Sequence, residues 1–339
     1  MPKFEVPIIQ MRDSSFYIGL NMSRHIQNSS ILKTLDRVTK PEIDYKNMKA
    51  IYFAFAPHIL DELEGLCEGL AMTQNKAAAL FSGYDVPKME AMGCSAIITK
   101  DYYVRNYDFS PVFYDGYFSL FQPKDVFASA GYNLQVIGRH DGVNEHGLVI
   151  GLHFVSNHDY SVGVSAWTAV RMVLDTCMSV EDAIHMLKEI PHAACYNFSL
   201  GDKKGNIAVV EASPTKVIVR KDDTVLSCVN HFQNPELIRK NRVSIEGSQK
   251  RNDYLQSFQD GNVTQVEMFQ NFINENSPVF FTDYENLFGT LHTFSYSFHD
   301  GRILTNLARG NEILDINFNG WIEGEDIEHK CLTGIIENK

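Results

Sequence analysis

A cysteine that directly follows glycine opens the run GCSAIITKDYYVRNYDF at residues 93–109. The residues after Cys94 form a predicted strand, and a second strand carrying Arg105 and Asp108 returns after a short turn. Arg105 could favour the thiolate by its charge, and Asp108 could orient the thiol or hold an ammonium group. These residue types predict a thiol nucleophile at Cys94. A buried core cysteine and a surface Arg–Asp pair are the alternatives.

Cleavage of the Gly93–Cys94 bond would give Cys94 a free α-amine. The unperturbed pKa of such an amine is about 7.7–8.0, so it could accept the thiol proton at neutral pH. The unhindered carbonyl of Gly93 could itself be attacked by the neighbouring thiol, giving a thioester that water then opens. The sequence therefore predicts self-cleavage between Gly93 and Cys94, which leaves the nucleophile at a new N-terminus.

The elements that position this cysteine change in kind at residue 94. Before it, a short strand precedes a mostly helical segment from residue 24 to residue 83. In that segment Pro57 suits the first turn of a helix with an apolar stripe. The opposite, polar face of this helix is predicted to be exposed and carries Asp61, Glu62, Glu64 and Glu68.

After residue 94 strands dominate to about residue 154, and LQVIGRH at residues 134–140 is predicted as one of them. Two helices follow, the second capped by Ser179. A second block of strands leads to helices beginning near Asn234, and the chain closes with strands that include ILDINFN at residues 313–319. This order predicts an α+β fold of two packed sheets with helical layers outside.

Several motifs resemble one known family. The runs ELEGLCEGLAM at residues 62–72 and GCS…RNYD resemble the choloylglycine hydrolase and acyl-coenzyme A:6-aminopenicillanic acid acyltransferase group of autoproteolytic Ntn-hydrolases. DGVNEHGLVIGLHF at residues 141–154 resembles the Asn-Glu-x-Gly-Leu strand of that group, and VLSCVNHF at residues 225–232 resembles its Asn-His-Phe strand end. The resemblance implies a four-layer αββα sandwich at residues 94–339, preceded by a helical pro-segment at residues 1–93.

The resemblance also implies a reaction and site residues. Asn230 is the expected oxyanion donor, and Arg251 stands where relatives often carry a structural or active-site arginine. The implied enzyme hydrolyses linear amide bonds of small N-acyl compounds through a thioester on Cys94, without a metal or organic cofactor. Acyl transfer to an acceptor amine as the main reaction and a non-catalytic binding protein of the same fold remain alternatives. The acyl and amine halves of the substrate stay open.

Three residues are candidates for substrate binding: His153, Phe109 and Tyr117. His153 stands where bile-salt hydrolases have an asparagine, and its alternatives are a weaker oxyanion donor, a pH-sensitive oxyanion donor and a packed core histidine. Phe109 and Tyr117 could line an acyl pocket. The acyltransferase type also carries an arginine before its late strand pair, whereas NLFGTLHTF at residues 286–294 has none.

Composition restricts the partners and the compartment. The formal net charge of -12 argues against nucleic acid or anionic lipid as the main partner. The sequence shows no signal peptide and no apolar run long enough for a membrane helix, and its six cysteines form no CxxC pair. We therefore expect a cytoplasmic protein, and a homo-oligomer stays open. His140, His146, His153 and His158 match no metal-binding spacing, so no metal is expected.

Overall fold

The computed structural model describes residues 3–88, 93–258, 263–286 and 288–337. Residues 89–92, which precede the predicted cleavage site, and Leu287 of the late strand pair lie outside this description. The α-helices are α1 Ser15–Ile26, α2 Ser30–Val38, α3 Tyr45–Phe55, α4 His58–Gly69, α5 Gln74–Phe81, α6 Ala166–Thr176, α7 Val180–Glu189, α8 Glu246–Gln256, α9 Gln265–Ile273 and α10 Phe318–Ile322.

The strands are β1 Lys3–Met11, β2 Gly93–Thr99, β3 Tyr102–Phe109, β4 Phe118–Phe121, β5 Ser129–Leu134, β6 Gly138–Arg139, β7 Asp141–Asn144, β8 Val149–Ser156, β9 Cys195–Gly201, β10 Ile207–Ser213, β11 Lys216–Asp222, β12 Val225–Cys228, β13 Thr282–Asp283, β14 Phe288–Ser297, β15 Arg302–Leu307, β16 Leu314–Asn317 and β17 Cys331–Ile335. They form two sheets. One is ten-stranded in the order β11-β10-β9-β8-β7-β5-β4-β1-β17, with β6 on β5. The other is seven-stranded in the order β12-β2-β3-β14-β15-β16, with β13 on β14.

The two sheets face each other and helices cover both outer sides. Helices α6 and α7 contact the ten-stranded sheet, and α8 and α9 contact the seven-stranded one. On the latter side, Met268, Phe269 and Phe272 of α9 pack against Ile97 and Val104. The predicted α+β class and four-layer αββα sandwich are therefore confirmed.

The segment before Cys94 is mostly helical, as predicted, but its first strand belongs to the main fold. β1 lies inside the ten-stranded sheet, parallel to β4 and antiparallel to β17. The prediction that Glu62 is exposed is wrong. Its carboxylate is buried and receives a hydrogen bond of 2.7 Å from Arg171 of α6, because this face of α4 packs against the remainder of the chain rather than against water.

The predicted strand over residues 134–140 is also wrong. Gln135 and Val136 have φ of 57° and 67°, so the backbone turns there, and a strand that the sequence analysis missed ends at Leu134. The Val136 N–H donates to the buried Asp115 carboxylate, which holds the turn. Likewise, the run after Asn234 contains only a 3₁₀ turn at Ile238–Lys240 before α8, and the strand predicted at 313–319 ends at Asn317, whose side chain caps α10.

The helices within the described ranges include none long and apolar enough to cross a membrane.

Candidate active site

Cys94 is the second residue of β2 and lies opposite Tyr107 of β3. Because side chains alternate along a strand, Cys94, Arg105 and Tyr107 share the face that meets the ten-stranded sheet. Arg105 donates from Nη2 to the Cys94 Sγ at 3.1 Å and to the Leu152 carbonyl of β8. All three side chains are fully buried. The cysteine is buried, but it has a charged partner that a core cysteine does not need.

The same alternation places Asp108 on the opposite face of β3, where it pairs with Gly93 across the strands. Its Oδ1 accepts a hydrogen bond of 2.7 Å from Thr290 Oγ1. Among the described residues, its Oδ2 has no hydrogen-bond partner. Burial raises the pKa of Asp108 to about 6, although the charge of Arg251 opposes the rise. Both Arg105 and Asp108 are buried, so they do not form the surface pair considered above.

Asn230 and Arg251 hold the backbone of Cys94. The Cys94 N–H donates to Asn230 Oδ1 at 2.8 Å, and Arg251 Nη2 donates to the same oxygen at 2.9 Å. Arg251 Nη1 donates to the Cys94 carbonyl at 2.7 Å and to Ser95 Oγ at 3.0 Å. The amide nitrogen of Asn230 donates to the Phe154 carbonyl at 2.9 Å. The structure therefore brings all the predicted catalytic residues to Cys94 or to the adjoining Gly93.

Burial dominates the electrostatics of the thiol. It raises the pKa of Cys94 to about 11, and the positive charge of Arg105 only partly offsets this rise. With this pKa the thiol is protonated at neutral pH. Any reaction at this sulfur would need a base to accept the proton or a more hydrated surrounding.

The sequence analysis missed two residues behind Arg105. Arg105 donates from Nη1 to Asp141 Oδ2, which also accepts from His292 Nε2 at 3.0 Å, and His292 Nδ1 accepts from the Tyr114 hydroxyl at 2.7 Å. Burial works to raise the pKa of Asp141, but the interaction with His292, including its hydrogen bond, and the charge of Arg105 overcome it and lower that pKa. Asp141 stays ionised and holds the guanidinium in place. The available signal was a carboxylate at the start of the otherwise uncharged strand DGVN.

Of the three substrate-binding candidates, Phe109 lines a described cleft. This cleft is mainly apolar; Phe113, Leu134 and Trp167 line it together with residues that precede Gly93, such as Leu35. Tyr117 is buried, and its hydroxyl lies 3.4 Å from the His25 carbonyl.

His153 is fully buried in β8, and its Nε2 is 2.9 Å from Ser199 Oγ. Burial lowers the pKa of His153 well below its ordinary value, so the ring is neutral. This placement agrees with the packed core histidine considered above. Within the parts of the chain that the structure describes, no group of three or more His, Cys, Asp and Glu side chains is arranged to hold a metal ion.

Comparison with known families decides the membership. The model of the family "acyl-coenzyme A:6-aminopenicillanic acid acyl-transferase" matches residues 98–312, which is more than half of the chain. The chain belongs to this family. The match includes Arg105, Asp108, Asn230 and Arg251 and begins four residues after Cys94. Membership confirms the resemblance to the Ntn-hydrolase group and indicates an acylase or acyltransferase.

Similar solved structures include a hydrolase, an acylase and an amidase ortholog. A conjugated bile acid hydrolase from Clostridium perfringens is 17% identical over 72% of this chain and 97% of its own, with a TM-score of 0.48. A penicillin V acylase from Agrobacterium tumefaciens is 19% identical over 56% of this chain and 69% of its own, with a TM-score of 0.37. A Caenorhabditis elegans ortholog of N-acylethanolamine-hydrolyzing acid amidase is 14% identical over 60% of this chain and 93% of its own, with a TM-score of 0.39. A comparison with curated proteins gave no match.

Proposed function

We propose that this member of the acyltransferase family cuts itself between Gly93 and Cys94 and then cleaves linear amides of small N-acyl compounds with the Cys94 thiol. One observation carries the proposal. The thiol, the nitrogen and the carbonyl of Cys94 each have their own polar partner, namely Arg105, Asn230 and Arg251. A cysteine retained only for packing needs none of these contacts.

Self-cleavage would begin with attack of the Cys94 sulfur on the Gly93 carbonyl carbon. The Gly93–Cys94 C–N bond breaks as the C–S bond of a thioester forms, and the nitrogen leaves as the α-amine of Cys94. Water then opens the thioester, which gives a Gly93 carboxylate and a free thiol. Asp108 lies across from Gly93 on the face of the sheet opposite the sulfur, and its pKa is about 6. Its carboxylate would therefore receive the thiol proton by way of the leaving nitrogen rather than directly.

Turnover would use the same atoms on a foreign amide. The α-amine accepts the thiol proton, and the sulfur attacks the substrate carbonyl while Arg105 stabilises the thiolate. Asn230 uses one amide hydrogen on Phe154, and its second is free to face the oxyanion. Loss of one such donor costs about 2.7–4 kcal/mol in other enzymes. The amine half leaves with the proton, and water releases the acyl group. These steps need no metal or organic cofactor.

The pro-segment at residues 1–93 and the catalytic domain at residues 94–339 would then be two polypeptides of one enzyme. Transfer of the acyl group to an amine shares every step up to the thioester. Product analysis with and without an added acceptor amine separates transfer from hydrolysis.

The test compares two buried cysteines. Cys94→Ala should leave N-acyl amides intact and should form no acyl adduct when the protein is mixed with substrate and weighed by mass spectrometry. Cys228→Ala is the matched control, because Cys228 is equally buried and lies opposite Ala96 on the neighbouring strand. The Cys228→Ala variant should retain amide cleavage and acyl-adduct formation. Amide cleavage by Cys94→Ala at the wild-type rate would refute the mechanism, and a wild type inactive on a broad panel would favour the binding-protein alternative.

A further inference from the structure

Tyr107 carries a polar atom that the mechanism above does not use. Its side chain is fully buried, and its hydroxyl has no hydrogen-bond partner among the described residues. An unmade hydrogen bond in a protein interior is costly, so such a hydroxyl calls for an explanation. Tyr107 lies directly opposite Cys94 on the same face of the sheet, which puts this hydroxyl in the inter-sheet space beside the nucleophile.

The surroundings of Tyr107 combine aromatic walls with a second under-used polar group. Its ring lies 3.9 Å from the ring of His140 and 6.3 Å from that of Phe109, and it stacks on His292 at 5.4 Å. Among the residues that the structure describes, neither ring nitrogen of His140 has a hydrogen-bond partner of normal geometry, although the Asn133 backbone lies near the ring. Two neighbouring side chains therefore have hydrogen-bonding capacity left over.

The protonation states define what these groups can bind. Burial raises the pKa of Tyr107 well above its ordinary value and lowers that of His140 well below its own. The tyrosine is therefore a neutral donor, and the imidazole offers one donor and one acceptor. The nearby cation, Arg105, is already paired with Asp141. A ligand carboxylate would meet no free positive charge here. A neutral oxygen needs no such charge and would find an unused hydrogen-bond donor.

We infer that Tyr107, with His140 beside it, is a specificity-determining residue that hydrogen-bonds a neutral oxygen in the acyl half of the substrate. The oxygen would belong to a hydroxyl, ether or carbonyl group on a mainly apolar acyl chain, because Phe109 of the apolar cleft adjoins Tyr107. This inference rests on the proposed amide cleavage and narrows its substrate class.

The experiment is an oxygen scan. Amides with one fixed amine half carry acyl chains of equal length, in which an ether or ketone oxygen occupies each successive position. Wild type should favour one oxygen position over the all-carbon chain by about tenfold in kcat/KM. Tyr107→Phe should abolish that preference, because it removes only the hydroxyl.

The matched control is Tyr296→Phe. Tyr296 is also buried, on the adjacent strand, and its hydroxyl has no partner within the described ranges. It pairs with Tyr103 at the far end of β3 from Cys94. This variant should keep the preference. Denaturant unfolding of uncleaved chains should show that Tyr107→Phe is at least as stable as Tyr296→Phe, since neither variant loses an internal hydrogen bond.

Retention of the preference by Tyr107→Phe, or a wild type without any preference, would overturn the inference while amide cleavage itself stands. A much larger loss of stability in Tyr107→Phe than in Tyr296→Phe would also overturn it, because the hydroxyl would then have a partner inside the protein. If wild type cleaves no amide in the scan, the proposed function fails and the inference fails with it.

Discussion

The charged side chains around Cys94 lie on both faces of the seven-stranded sheet. Arg105 meets the sulfur on the inner face, whereas Asp108 lies across from Gly93 on the outer face, near Arg251. A thiol with a pKa of about 11 and a carboxyl with a pKa of about 6 are both shifted mainly by burial. Burial of these ionisable groups lowers the stability of the fold and shifts their pKa values, and such shifts are typical of catalytic sites.

The first prediction concerns the stability cost of Asp108. Its pKa is about 6 in the folded chain and about 3.9 when unfolded, so folding stability falls as the pH rises from about 4 to about 6. On the uncleaved Cys94→Ala background, Asp108→Asn should raise the free energy of unfolding at pH 7 by about 2–3 kcal/mol. Below pH 4 it should have little effect. Denaturant unfolding across this range measures the difference.

The exposed Asp223→Asn is the control and should show no such pH-dependent gain. Equal stability of Asp108→Asn and its background at pH 7 would mean that the Asp108 carboxylate is not penalised by burial.

The second prediction concerns the rate of self-cleavage. If the Asp108 carboxylate accepts the thiol proton, cleavage should be slow below pH 5 and should rise with a midpoint near pH 6, where this group ionises. Asp108→Asn should lose that rise and slow cleavage by about 10²-fold or more. Stopped time points read by intact mass give the rates. An unchanged pH profile in the variant would assign the base elsewhere.

The sequence located the reacting residues but not those that support them. Cys94, Arg105 and Asp108 lie on adjacent strands joined by a short turn, so local spacing was enough to bring them together. Asp141 of β7 contacts Arg105 from 36 residues further along the chain, and His292 of β14 contacts Asp141 from another 151 residues further. Only the topology of both sheets shows that contact.

At the scale of elements, helix α4 is fastened to helix α6 by buried charges. Arg171 donates to Glu62 Oε2 at 2.7 Å and to Asp175 at 2.6 Å, and Asp175 also lies 2.8 Å from His58 Nε2. Two of these residues precede Gly93 and two follow it. A buried network of this kind tolerates the loss of a partner badly, because an unpaired charge remains in the interior.

The third prediction follows from this network. Glu62→Ala should destabilise the uncleaved chain by about 3–5 kcal/mol, since it leaves Arg171 without one of its carboxylates. Glu64 lies on the exposed face of the same helix, so Glu64→Ala is the control. It should change the free energy of unfolding by less than about 0.5 kcal/mol. Thermal and denaturant unfolding of both variants measure the contrast. Equal losses of stability in the two variants would show that the buried Glu62–Arg171 pair contributes no more than an exposed side chain.

The elements also mark the limit of local sequence patterns. Alternation and turn residues predicted β2 and β3, whose boundaries depend on neighbouring residues. The turn at Gln135 and Val136 is different, because a valine at positive φ is unfavourable and is held by a carboxylate from residue 115. Glu62 was misplaced for a similar reason: its partner is 109 residues away along the chain.

At the scale of the whole molecule, the residues that precede the predicted cut are packed into the same fold as those that follow it. β1 fills a position inside the ten-stranded sheet between β4 and β17, and helix α2 supplies a wall of the apolar cleft. Cleavage at Gly93 removes one covalent link but none of these contacts. The two polypeptides should therefore stay together.

The fourth prediction tests this association. Fragments 1–93 and 94–339 of the cleaved protein should co-elute in size-exclusion chromatography and appear as one species in native mass spectrometry. They should separate only in denaturant, because separation exposes an interior sheet edge and the buried Glu62–Arg171 pair. Recovery of a folded fragment 94–339 free of the pro-segment under native conditions would contradict this expectation.

The central claim is that Cys94 severs the bond in front of itself. Intact mass and N-terminal sequencing of the purified protein test it most directly. We predict that wild type yields two fragments, the larger beginning at Cys94, that Cys94→Ala stays one chain, and that Cys94→Ser is cut slowly. A wild-type chain that remains whole under all conditions, or a Cys94→Ala chain cut at the same bond at the same rate, would contradict the account.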